Sequence, residues 1–206
     1  MDFLPLTIDD KKVYAGFWLR LGAILVDILV LIPITVAIFY LQSINFSLTI
    51  VFAIFSTCLF AFYNIYFNAK FGGTLGKLVV NIRITKPDGA KIHWKEACLR
   101  SSVDVAFAVF FLIIELVAFS KVDQQAYLSA GFWGRGELLW PLYPTWYDYY
   151  NVTSQIWMWS ELIVLLFNKR KRALHDFIAG TIVINKEFAE PVAAKELTTT
   201  AFDLSA

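Results

Sequence analysis

The sequence predicts an all-α transmembrane bundle of four membrane-spanning helices with a small cytoplasmic β element. Three observations predict it. Hydrophobic residues make up 58% of the 206 positions and charged residues 17%, against roughly 45–50% and about 25% in soluble domains, and mean hydropathy is +0.60. The apolar residues gather in four stretches, each near the roughly 20 residues a helix needs to cross a bilayer core. Lys and Arg crowd into alternate connections between those stretches. So apolar a chain lacks the polar surface of an ordinary soluble enzyme, and it is too hydrophobic for disorder. A net charge of +1 argues against a nucleic-acid partner. Cys58 and Cys98 are too few for a disulfide scaffold.

Residues 1–16 form a cytoplasmic N-terminal segment. Their opening, MDFLPLTIDD, is acidic rather than basic, so a cleavable signal is not expected and the first helix stays in the mature protein. The membrane domain covers 17–185. Its first span, about 17–40, contains Arg20, Asp27 and Pro33, and its second, 46–67, carries no charge. The third, 101–119, holds Asp104 and Glu115. The fourth, 149–167, has its apolar heart around Glu161.

Orientation follows from the basic residues near the span ends. The connection between spans two and three carries Lys70, Lys77, Arg83, Lys86, Lys91, Lys95 and Arg100, and span four is followed by Lys169, Arg170, Lys171 and Arg172. The connection between spans three and four has only Lys121 and Arg135. Four spans therefore place both termini in the cytoplasm of a multi-pass protein of the inner (plasma) membrane. The outer loop, 120–148, is rich in Trp and Tyr, which gather where membrane meets water. It reads as a cap lying on the bundle, or alternatively as an aromatic cage for a ligand.

The cytoplasmic connection has its own structure. In residues 80–85, Val80, Ile82 and Ile84 alternate with polar residues, the pattern of a half-buried strand. Lys86-Pro87-Asp88-Gly89 supplies a turn, residues 90–93 return as a second strand, and Thr181-Ile182-Val183-Ile184 adds a third. The tail, 186–206, reads as mobile.

Soluble-type catalysis finds no residues here. Gly72-Gly73-Thr74-Leu75-Gly76-Lys77 has three residues between its outer glycines and Leu78 after the Lys, so it is not a phosphate-binding loop. His93 and His175 lack partners at zinc-ligand spacing. An enzyme, a cofactor, a metal site and a nucleic-acid partner are therefore not expected.

Charges inside the spans carry the functional signal, because an ionisable group at the bilayer centre costs ~2.5–3.5 kcal/mol on insertion scales. At 1.5 Å per residue Asp27 lies roughly 15 Å deep, and Glu161 and Glu115 occupy the inner and outer halves. These three are the candidate ion- or proton-binding residues. Arg100 and Asp104, one turn apart, form a candidate secondary pair. Arg20 and Asp27 share a helix face but stand roughly 10 Å apart, too far for a direct bond. Arg20 and Asp176 meet the same membrane face and are expected to bond, leaving Asp27 to face a polar cavity.

Three motifs resemble the RDD membrane-protein family. Phe17-Trp18-Leu19-Arg20-Leu21-Gly22-Ala23-Ile24-Leu25-Val26-Asp27 is similar to its opening. Gly73-Thr74-Leu75-Gly76-Lys77, with Pro87-Asp88-Gly89 beyond it, is similar to its middle segment, and Arg172-Ala173-Leu174-His175-Asp176-Phe177-Ile178-Ala179-Gly180-Thr181 to its close. The resemblance implies that Arg20, Asp27 and Asp176 are the three signature residues, and that the role is transport, with cation–proton exchange proposed for some members. The aromatic insertion around 123–150 departs from the family pattern. Two functions follow as expectations. One is a transporter exchanging a monovalent cation for protons through a buried carboxylate, as a homo-oligomer in the lipid bilayer. The other is a non-catalytic scaffold or accessory subunit that binds partner proteins or a partner membrane subunit.

Overall fold

A computed structural model describes residues 3–189. The order of elements is β1 (Thr7–Ile8), β2 (Lys11–Lys12), α1 (Phe17–Gln42), α2 (Phe46–Phe71), α3 (Leu75–Val79), β3 (Ile82–Thr85), α4 (Trp94–Phe119), α5 (Gln124–Ser129), α6 (Phe132–Leu139), α7 (Tyr147–Phe167), α8 (Leu174–Ile178) and β4 (Ile182–Asn185). Among the described residues, three helices (α1, α2 and α4) are long and apolar enough to cross a membrane. Helix α7 covers the fourth expected stretch with 21 residues, its first half polar and aromatic.

The chain divides into two compact units. The first comprises residues 3–30, 63–102 and 159–189, and the second 31–62 and 103–158. Among the described residues, Lys121 and Arg135 are the only Lys or Arg in the second unit.

In the first unit β3 and β4 pair antiparallel, with Ile82 opposite Asn185 and Thr85 opposite Ile182. Side chains alternate faces along a strand, and here both faces of β4 are buried. Val183 joins Ile82, Ile84, Ala23 and Ala97 in one apolar cluster, while Ile182 and Ile184 join Val13 and Tyr14 in another. Ala15 N donates to Val183 O at 2.9 Å and Asn185 N to Val13 O at 3.0 Å, so the N-terminal segment lies along the free edge of β4. That covers an edge that would otherwise be left unpaired. The expected second strand, 90–93, shrinks to a single bridge between Thr85 and Lys91. β3 takes β4 as its partner, and Ile92 is buried in the core instead. Nor is the tail's beginning loose: Phe188 and Ala189 pack against the second cluster. The rest of the expected mobile tail lies outside the described residues.

In the second unit the expected outer loop is mostly helical, as α5, α6 and a single 3-10 turn at Trp140–Leu142. Asp123 starts α5 by accepting from Ala126 N at 2.7 Å, which satisfies one of the N–H groups a helix start leaves open. Tyr127 then packs edge-on against Phe46 and Phe119, with ring centroids 5.8 and 5.7 Å away. Local capping and ring packing give this stretch regular structure that its composition concealed.

Candidate functional site

Asp176 is the centre of the first unit's polar core. It sits in the first turn of α8 with no solvent exposure. Its Oδ2 accepts from Arg20 Nη1 at 2.9 Å and from Ala173 N at 2.9 Å. Its Oδ1 accepts from Arg100 Nη1 and from the Thr181 hydroxyl. Four donors meet a carboxylate that has about four acceptor positions. Burial alone would push this carboxyl up, but the Arg100 and Arg20 guanidinia override it and hold it far below the usual carboxylate range.

The network extends from both arginines. Arg20 Nη2 donates to Lys171 O, tying helix α1 to the segment after α7. Arg100 Nη1 also donates to Thr181 Oγ1 at 2.9 Å, and Arg100 Nη2 stands 2.6 Å from His175 Nε2. His175 Nδ1 in turn lies 2.5 Å from Glu161 Oε1, which also accepts from His175 N. The arginine fixes the histidine tautomer. A guanidinium has no acceptor, so Nε2 must accept from Arg100, and the ring proton sits on Nδ1 and donates to Glu161. Glu161, His175, Arg100, Asp176 and Arg20 form one continuous hydrogen-bonded chain.

The expected meeting of Arg20 and Asp176, 156 positions apart, is thus present. The expected pairing of Arg100 with Asp104 is not what the structure makes. Arg100 turns to Asp176, His175 and Thr181, while Asp104 accepts from Trp157 Nε1 at 2.9 Å. A one-turn pair on a helix is worth only ≈ 0.2–0.5 kcal/mol, too little to compete with a buried carboxylate. His175 was weighed only as a metal ligand. The overlooked signal was a carboxylate in an apolar stretch, Glu161, that needs a donor.

Asp27 differs more sharply from expectation. Instead of facing a polar cavity, it binds the turn between α2 and α3. Oδ1 accepts from Tyr63 Oη and from Gly76 N, both at 2.6 Å, and Oδ2 accepts from Thr74 Oγ1 at 2.6 Å. Tyr63 Oη also accepts from Leu75 N at 3.1 Å. The first N–H groups of α3, which no helical carbonyl can satisfy, are therefore met by side chains of α1 and α2. Asp27→Asn replaces a carboxylate by a group with one acceptor oxygen, so at least one of these donors loses its partner. It should destabilise the protein by about 1–3 kcal/mol, measured as a lower melting temperature in detergent.

Glu115 belongs to the second unit, where no described hydrogen bond or ion pair reaches it. In the same unit Arg135 is buried between Phe39 and Tyr127, with its guanidinium carbon 4.5 and 4.9 Å from the ring centres. Its Nη2 donates to Ser43 Oγ at 2.6 Å. The aromatic segment thus encloses one of the chain's own cations. Among the described residues, no group of three or more His, Cys, Asp or Glu is placed to hold a metal ion.

A model of the RDD family matches residues 14–180 of the chain, which contain every residue of the Asp176 network except Thr181, one position beyond. No curated protein and no solved structure matches it.

Proposed function

The chain belongs to the RDD family of membrane proteins, and from that premise we propose that it is a small transporter, not an enzyme, exchanging a monovalent cation for protons. In this reading α7 is the fourth span. Both termini are cytoplasmic, and the membrane is the plasma membrane. The hydrogen-bonded chain from Glu161 through His175 to Arg100, Asp176 and Arg20 supports it. Of these groups His175 is the one that can hold or release a proton at either of two ring nitrogens. A second ring proton would set N–H against N–H at Arg100 and break that link, so proton uptake changes how α4 is joined to α8. Glu161 exchanges the proton with His175, and Glu115 serves as the outer-half carboxylate. Asp27 fixes the segment after α2. With so few helices, a homo-oligomer completes the pathway.

A second reading, a scaffold or accessory subunit, draws on Asp27. Its three close donors leave it acting as a structural fastener.

Purified protein in liposomes, with a pH-sensitive dye inside and an imposed Na⁺ or K⁺ gradient, separates the two. Cation-driven proton flux should appear in the wild type and fall at least tenfold in Glu161→Gln and His175→Gln proteins of unchanged melting temperature. No flux with any ion, together with a stable co-purifying partner, would favour the scaffold.

A further inference from the structure

The second unit's share of the long helices holds few charges. Residues 31–62, 103–119 and 149–158 contain no Lys, Arg or His, and Asp104 and Glu115 are their only carboxylates. Both stand on α4, eleven positions apart, which is three turns and roughly 16 Å along one face of the helix. Phe107 and Phe111 share that face between them, and α7 lies against it. Trp157 Nε1 donates to Asp104 Oδ1 at 2.9 Å, and Tyr150 Oη donates to Phe107 O at 3.3 Å. The Tyr150 ring packs on Phe107 and Phe111, with centroids 5.9 and 6.0 Å away. Its hydroxyl is therefore placed between the two carboxylates along α4. Tyr143 packs on Phe111 and Tyr127 on Phe119, one turn either side of Glu115, with centroids 6.5 and 5.7 Å away. The unit's other charged residues fall within 120–148.

The half-buried positions of α7 in this unit are Tyr147, Tyr150, Asn151, Ser154 and Trp157, each carrying a polar group. Its apolar residues Val152, Ile156, Met158 and Trp159 are instead 52–64% exposed. Polar bonds between helices serve packing as well. Packing explains the ring contacts, but it does not call for two carboxylates on one face of α4 with no Lys or Arg in the facing stretches. Inward-facing ionisable groups of this kind mark proton and ion paths in membranes. We propose that this seam carries the exchanged proton through the second unit, from Glu115 past the Tyr150 hydroxyl to Asp104. The proposal rests on the proton exchange read above and adds its path. A proton leaves the Glu115 carboxyl, Tyr150 Oη passes its own on as it accepts another, and the Asp104 carboxylate takes it up. Water bridges the remaining distance, and the return step reverses each transfer. The indole suits this role. Trp157 is a donor only, so it does not compete for the proton, and a protonated Asp104 keeps an oxygen to accept from it. The bond between α4 and α7 thus persists in both states. Charged neighbours along the two helices are committed: Arg100, one turn before Asp104, to Asp176 and His175, and Glu161, one turn beyond Trp157, to His175.

The test is proton flux of the full chain in liposomes, on variants of wild-type melting temperature. Asp104→Asn keeps an oxygen for the indole but cannot carry a proton, and it should lower flux at least tenfold. Tyr150→Phe should lower it several-fold, and Tyr149→Phe, whose side chain is 78% exposed, not at all. Trp157→Phe removes an N–H that favours the ionised carboxylate, so the pH profile of flux should move to higher pH. Lost packing alone would lower flux without moving the profile. Unchanged flux in Asp104→Asn, or an unmoved profile in Trp157→Phe, overturns the proposal while the exchange reading stands. A wild type that conducts no ion overturns the exchange reading, and the infrared band of the protonated carboxyl then decides the role of Asp104. A band that titrates in the wild type and is missing from Asp104→Asn keeps Asp104 as a proton carrier; the same bands in both proteins overturn it.

Discussion

Asp176→Ala should leave little folded protein. The carboxylate it removes holds two buried guanidinia, Arg20 and Arg100, which are 8% and 5% exposed. Deleting one partner of a buried pair costs about 3–5 kcal/mol because the charge left behind has no compensation. Here two charges are left behind, so the loss should sit at or above the top of that range, a large fraction of a typical stability of about 5–15 kcal/mol. Arg20→Ala should cost less, since Arg100, Thr181 and Ala173 still satisfy Asp176. Removing Glu187, whose pairing with Lys11 is open to solvent, should leave the melting temperature unchanged. Fluorescence-detected size exclusion and melting in detergent would show that order. An Asp176→Ala protein as stable as the Glu187→Ala one contradicts the network's structural weight.

The sign of the pH dependence follows from the same site. Asp176 has a folded pKa held below its unfolded value of about 3.9. Its contribution is therefore fully present above that value and is lost only as pH falls through the lower, folded one. The gap in stability between wild type and Asp176→Ala should stay constant from neutrality down to about pH 4 and narrow only below it.

What the sequence disclosed follows the range of each interaction. The long helices were legible because a bilayer imposes a length on apolar runs. Arg20 and Asp176 could be matched across 156 positions because counting spans put them on one face of the membrane. Arg100 was misassigned because the sequence displays only local candidates. Asp104 sat one turn away, while the true partner was brought close by the α7–α8 connection. The company of Asp27 was not legible, for position along a helix says nothing about a turn folding back on it. The helices α5 and α6 of the aromatic segment were hidden because composition outweighed their one clear signal, the cap at Asp123.

The other large effect should come from Gly76→Ala. Gly76 opens α3, and its missing side chain lets that helix press directly on α1. A Cβ built there would stand 2.0 Å from Ala23 O and 2.7 Å from Asp27 Cγ. Neither neighbour is the yielding end of a flexible side chain: one is helix backbone, and the other is a carboxylate held by Tyr63, Thr74 and Gly76 itself. Relief requires α1 and α3 to separate by more than an ångström, which stretches the hydrogen bonds from Thr74 and Gly76 to Asp27 beyond useful length. Each bond to a charged acceptor is worth about 1.5–3 kcal/mol, so even partial loss exceeds the intrinsic gain of alanine over glycine in a helix, ≈ 0.8–1.0 kcal/mol. Gly136→Ala in α6 isolates that intrinsic gain, since its Cβ would meet nothing within 4 Å. Melting curves of the two proteins should therefore move in opposite directions, Gly76→Ala downward by many degrees or to no folded protein at all, and Gly136→Ala level or slightly upward. A Gly76→Ala protein with wild-type melting would mean that α3 does not press on α1 in the membrane.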